Sequence, residues 1–123
     1  LFRSSLVFRL KVQDLSVLLT GDLENEGEEM LVRSGIQHAD ILKVGHHGSK
    51  NGTGEELLRQ LRPKIAIVSA GKKNQYGHPH RETVRRLNDS GCSIYETSRS
   101  GMLWFSMERK RWYLNSKLDI IKQ

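Results

Sequence analysis

The sequence predicts an α/β fold, shading into α+β because its sheet must be mixed. Three observations predict it. Short apolar runs of strand length recur at 16–20, 41–44 and 65–68. Helix-length segments with apolar residues on one face separate them. Segments that read as hairpins stand at both ends, so antiparallel pairings accompany the parallel ones.

Each element has a local reason. Leu6, Phe8, Leu10 and Val12 alternate with Val7, Arg9 and Lys11, a period-two strand with one wet face. Gln13-Asp14 turns the chain into the apolar strand 16–20. Residues 24–34 read as a helix with Met30 and Leu31 facing inward and Gly35 closing it. The buried strand 41–44 leads into a polar, glycine-containing loop, 46–54. Thr53 and Glu56 have capping-box spacing before a helix carrying Leu57, Leu58 and Leu61, which Pro63 stops. After strand 65–68 and loop 70–77, Pro79 suits the first turn of a helix running to Gly91. Residues 93–95 are a short strand. Residues 101–107 and 112–114 close the chain as a hairpin, and the tail is expected to fray.

The chain has 123 residues, the size of one small domain, with 37% hydrophobic and 28% charged residues. That composition excludes a disordered, collagen-like or disulfide-stapled chain. No apolar run approaches the roughly 18 residues of a membrane span, and the start does not have the pattern of a signal peptide. The start also lacks Met, which fits a piece of a longer chain. Lys and Arg number 20 against 14 Asp and Glu, a net charge of +6 that favours anionic partners. Cys92 is the single cysteine, so it has no disulfide partner within the chain and no CxxC metal site.

Three polar loops each follow a buried strand: 20–22, 45–49 and 74–80. In open α/β sheets the ligand site lies beyond the carboxyl ends of the strands. Asp22 ends an apolar strand, where a carboxylate needs a cation or another partner; it would alternatively cap the helix that follows. His46 and His47 are bracketed by glycines. On an extended segment they would point to opposite sides, one toward a site and one behind it. His78 precedes a proline and is positioned to donate a proton or hold a phosphate oxygen. His80 lies near the helix start, and His38 reads as ordinary surface. Ser49, Thr53 and Asn74 are candidate hydrogen-bond donors to phosphate. Lys50, Lys72, Lys73 and Arg81 lie on or beside the same loops. No nucleophile-elbow spacing supports a Ser/His/Asp triad. One carboxylate and up to four imidazoles fall short of the roughly five to seven ligands of a two-metal hydrolytic centre.

The motifs VLLTGD at 17–22, ADILKVGHHGS at 39–49, and PKIAIVSAG at 63–71 followed by Asn74 and YGHP at 76–79 resemble one family. It is the metallo-β-lactamase-like domain at the C-terminus of ComEC-type DNA-internalisation competence proteins. The resemblance runs from about residue 5 to residue 105, and Glu96-Thr97 followed by Gly101 is similar to the family's closing segment. It implies a four-layer αββα sandwich of which residues 1–108 are the C-terminal half. Residues 109–123 would then supply a closing strand and the tail.

By the same resemblance, the missing first half carries the His/Asp cluster, so this chain alone would be inactive. Asp22 and one of His46 and His47, with slight preference for His47, would be metal ligands. His78 would act at the scissile phosphate, while Ser49, Asn74 and Lys50 would contact substrate. The cofactor would be divalent metal, two ions of Zn or Mn. The partners would be DNA and the remainder of the parent chain, its membrane channel included. The parent would lie in the plasma membrane, with this domain soluble and extracytoplasmic. Its reaction would be metal-dependent phosphodiester hydrolysis, degrading the strand not imported during natural transformation. Two rival readings remain: a soluble hydrolase of the same fold acting on a small-molecule ester, and a non-catalytic DNA-binding module.

Overall fold

The structure, a computed structural model, describes residues 5–117. β1 (Phe8–Val12) and β2 (Leu15–Leu19) form an antiparallel hairpin, with Phe8 opposite Leu19 and Val12 opposite Leu15. β3 (Ile41–Lys43), β4 (Ile65–Val68) and β5 (Ser93–Glu96) then add in parallel, giving a five-stranded mixed sheet in sequence order. The crossovers carry α1 (Asn25–Arg33), α2 (Glu55–Leu61) and α3 (Arg81–Asp89). Parallel crossovers are right-handed, so strands added in order put all three helices on one face. After β5 comes one turn of helix, α4 (Thr97–Ser100), which the sequence did not announce. β6 (Leu103–Glu108) and β7 (Arg111–Ser116) form a separate hairpin. Its two turn residues, Arg109 and Lys110, both have positive φ, which matches the twist of a two-residue hairpin loop.

The apolar runs are continuous because both sheet faces are covered. Leu18, Leu42, Ala66 and Val68 point into a core completed by Leu57, Leu58 and Leu61 of α2 and Leu87 of α3. Their neighbours Leu15, Ile41 and Ile65 point the other way, where Phe105, Trp112 and Leu114 of the β6–β7 hairpin lie against them. Burying each large side chain contributes roughly 1.5–3 kcal/mol. That packing clamps the strand ends from which the three polar loops emerge.

Several local expectations are corrected. Met30 is 71% exposed, while Leu31 and Val32 carry the inner face of α1. The capping box before α2 does not form. The Thr53 hydroxyl accepts from the Gly45 N–H instead, and Glu28 of α1 receives the N–H groups of Thr53 and Gly54 at 2.5 and 2.6 Å. A carboxylate from a neighbouring helix thus does the work assigned to a local cap. Pro79 stands outside α3, which begins at Arg81 with His80 at its N-cap, and the His78–Pro79 peptide is cis. His38 is not plain surface. It is half-buried, with Nδ1 donating to the Leu61 carbonyl at 2.7 Å and Nε2 3.3 Å from Asp40. The part of the expected frayed tail at 118–123 lies outside the described residues.

Candidate functional site

The loops leaving β2, β3 and β4 meet at the carboxyl edge of the sheet. The His46 N–H donates to the Gly21 carbonyl at 2.8 Å, joining the first two loops. Nδ1 of His47 donates to the Ser69 carbonyl at 2.6 Å, and the His80 N–H to the Gly48 carbonyl at 2.9 Å, joining the third.

The segment Gly45–Gly48 is not extended, so the expectation of opposed imidazoles is overturned. His46 (φ 40°) and His47 (φ 55°) both adopt the left-handed conformation. Non-glycine residues there are held against strain, a pattern that gathers at functional sites. The turn brings both rings to the same side. Ring centroids lie 6.1 Å apart for His46 and His47, 5.4 Å for His46 and His78, and 6.5 Å for His47 and His78. His80 joins them, its ring 4.9 Å from His78.

Each of the two turn histidines is anchored through Nδ1. His46 donates to Oε1 of Glu24 at 2.8 Å, and His47 to the Ser69 carbonyl. Their Nε2 atoms have no hydrogen bond among the described residues. Metal-binding histidines are typically oriented in this way, one ring nitrogen on an oxygen and the other presented to the ion.

Glu24 is a site residue that sequence reasoning missed. It is the N-cap of α1, yet its side chain caps nothing and reaches His46 instead. Burial alone would raise its pKa. Hydrogen bonds from Ser49 and His46, with the nearby His46 and His78 rings, outweigh that and hold it below the usual value. Because Glu24 holds the N-cap position, Asp22 does not cap the helix. Asp22 is exposed, and its charge partly restores the pKa of Lys43, which burial lowers. His78 is shifted below its ordinary pKa by burial, then by repulsion from His80, His46 and His47, with Glu24 opposing.

Asn74 holds the backbone of His78 from both sides. Its Oδ1 accepts from the His78 N–H at 2.8 Å, and its Nδ2 donates to the His78 carbonyl at 2.6 Å. Ser49 is buried; its Oγ accepts from the Asn51 N–H at 3.3 Å and its carbonyl from the Thr83 hydroxyl at 2.8 Å. The Lys50 side chain is exposed, while its carbonyl, with those of Gly52 and Thr53, accepts from Arg86. Arg86 therefore braces the 50–53 segment from α3, a tie spanning more than thirty residues that no local pattern announces. Among the described residues no three His, Cys, Asp or Glu side chains converge well enough to hold one ion by themselves.

Residues 4–72 match the family described as the Metallo-beta-lactamase superfamily, a stretch that includes Asp22, His46 and His47. The chain is 46% identical over 109 residues to "ComE operon protein 3" of Bacillus subtilis, covering 87% of this chain and 14% of that protein. It is 43% identical over 88 residues to "Recombination protein 2" of Haemophilus influenzae, covering 72% and 11%. It is 35% identical over 107 residues to "Competence protein ComA" of Neisseria gonorrhoeae, covering 85% and 16%. The chain thus spans only 11–16% of the length of these relatives. No helix among the described residues is long and apolar enough to cross a membrane.

Proposed function

The chain belongs to the metallo-beta-lactamase superfamily, shared with ComEC-type competence proteins, and we propose that it supplies the later part of a metal-dependent DNA phosphodiesterase site. The observation that carries the proposal is the strained His46–His47 turn. It sets two imidazoles beside His78, each with Nδ1 anchored and Nε2 open.

The residues fit a divalent metal in kind. Imidazoles backed by a carboxylate and a carbonyl, with a carboxylate on the adjoining loop, suit Zn or Mn. They fall short in number, so further ligands come from elsewhere in the protein, and the isolated chain is inactive. Asp22, with His46 or His47, would hold a pair of ions. When bound, such ions generate hydroxide near neutral pH and offset charge on a phosphate. His78, its pKa lowered by burial and the neighbouring imidazoles, accepts or returns a proton at the phosphodiester. Asn74 fixes the backbone of His78, while Ser49 and Lys50 border the substrate. The net charge of +6 suits a polyanionic substrate. In this reading the parent protein takes up DNA at the plasma membrane and degrades the strand left outside.

The test measures bound Zn and Mn together with DNA cleavage in the intact protein. Asp22→Ala and His47→Ala are expected to lose metal and several orders of magnitude in rate, about the scale set by losing a metal-generated hydroxide. Full cleavage by Asp22→Ala overturns the metal-ligand assignment, and absence of cleavage by the metal-loaded wild-type protein leaves the non-catalytic DNA-binding module as the better reading.

A further inference from the structure

A basic groove of about 520 Å³ runs between α3 and α4, beside the histidine cluster. Pro79, Arg81, Val84, Arg85 and Arg99 are among its lining residues. Pro79 ties it to the site. A Cβ at Gly48 would stand 2.6 Å from Cβ of Pro79, so Pro79 sits directly on the His46–His47 turn. The groove therefore begins where the histidines end.

The arginines are arranged along it. Arg81 and Arg85 stand four residues apart on α3, hence on one face and roughly 6 Å apart along the helix axis. Arg99 of α4 completes the basic lining. Two carboxylates, Asp89 and Glu96, also line the groove, and neither neutralises it firmly. Arg85 is 4.0 Å from Asp89 with both side chains largely exposed; Arg99 is 3.5 Å from Glu96, the arginine 82% and the glutamate 17% exposed. The exposed Arg85 pair contributes little, and both guanidinium groups face water, where a polyanion can reach them. Arg81 has no carboxylate partner among the described residues. Near His78 stands Tyr76, 66% exposed, its ring 5.8 Å from the imidazole. A cationic groove beside an exposed aromatic ring is how proteins hold unpaired nucleic acid: phosphates follow the charge and a base stacks on the ring.

We propose that the phosphates of a single DNA strand lie along Arg81, Arg85 and Arg99, with a base on Tyr76, so that the strand is delivered to His78. The inference rests on the DNA-hydrolase reading above and adds the path that the strand takes across the surface.

The test is binding of a fluorescein-labelled oligothymidylate to the intact protein, followed by anisotropy across a salt series with chelator present. Arg81→Gln and Arg85→Gln are each expected to weaken binding several-fold. Each should lower the slope of log Kd against log salt by about 0.7, one phosphate contact on a single strand. Arg81→Lys and Arg85→Lys should restore the slope, which a folding defect would not. Tyr76→Ala should weaken binding about 5- to 150-fold at unchanged slope, the scale of one base–aromatic stack. Arg33→Gln, on the exposed surface of α1, should leave binding unchanged. Unaltered slopes in both Gln variants, or equal competition by duplex of the same composition, overturn the groove. Wild-type protein that binds with this pattern but never cleaves DNA overturns the hydrolase reading and leaves the groove standing. Normal cleavage with unaltered slopes does the reverse.

Discussion

Glu24 holds His46 across 22 residues of chain, with Oε1 2.8 Å from Nδ1. This bond fixes a ring whose own backbone sits in the left-handed region. It also fixes the tautomer, because a carboxylate oxygen can only accept. The lone pair of a neutral ring is then on Nε2. Glu24 is therefore a positioning residue for the candidate metal ligand.

Glu24→Gln should weaken divalent metal binding in the intact protein by about 10- to 100-fold, the scale for losing the outer partner of a ligating histidine. Chelator competition measures it. The amide keeps the shape and loses the charge, so unchanged affinity would remove Glu24 from the site.

Gly48→Ala should destabilise the protein more than Gly35→Ala does. Both glycines have positive φ, which costs an alanine about 1–2 kcal/mol. At Gly35 a Cβ meets nothing within 4 Å, whereas at Gly48 it collides with Cβ and Cα of Pro79 at 2.6 and 2.9 Å. The excess at Gly48 should be about 1–3 kcal/mol, as for other overpacked sites. Urea denaturation of the two variants reads the difference; equal losses would mean that Pro79 moves freely.

The contrast between these positions shows what the sequence carries and what it hides. β3 and β4 were legible because Ile41 and Leu42, and Ile65 and Ala66, face opposite buried layers, which leaves an unbroken apolar run. The convergence of three loops followed from strand order alone. The His46–His47 geometry did not, because backbone bonds to Gly21 and Ser49, rather than local propensity, force the turn. Glu24, Glu28 and Arg86 left no local signal, since each acts on a loop more than twenty residues away. Thr53 misled because tertiary structure gave its hydroxyl to Gly45.

Stability should fall steeply between about pH 4 and pH 2 through Asp40. Burial would raise its pKa, but the Ser16 N–H and hydroxyl, His38 and Lys64 hold it down at about 2, against an ordinary 3.8. A carboxyl with a folded-state pKa below its unfolded value adds stability above the unfolded value. That stability is lost as pH falls through the folded one. The side chain is only 9% exposed, and the contribution is about 2 kcal/mol. Asp40→Asn should be less stable at pH 6 and should flatten the dependence in that window. Parallel slopes for wild type and variant in urea titrations would discount the carboxylate.

The 123-residue chain on its own should self-associate. β1 is an edge strand, and Leu6, Phe8, Leu10 and Val12 are 69%, 51%, 50% and 54% exposed. Register places Leu10 opposite Val17 and Val12 opposite Leu15, on the face that the β6–β7 hairpin covers only farther in. An open edge beside an apolar stripe invites pairing. Phe8→Lys with Leu10→Lys should shift the sedimentation profile to monomer. A wild-type monomer at high concentration would show that the stripe is tolerated in water.

His78→Ala should lower kcat for DNA cleavage in the intact protein by about 10²–10⁴-fold, the range for removing a positioned proton carrier. Bound metal should be retained. The prediction depends on the division of labour among the imidazoles. His46 and His47 have Nδ1 tied to oxygens and Nε2 outward, the posture of ligands. His78 is held by its backbone instead, through Asn74, so its ring is left for the reacting atoms. Burial and three neighbouring histidines lower its pKa, which favours the neutral ring able to take a proton. Asn74→Ala should reproduce part of the loss, because it frees the backbone on either side of His78 without touching the ring. Metal analysis and turnover on the same preparations decide the assignment. Loss of metal in His78→Ala would make His78 a ligand, and the proton would then have to be carried by His80, its ring 4.9 Å away.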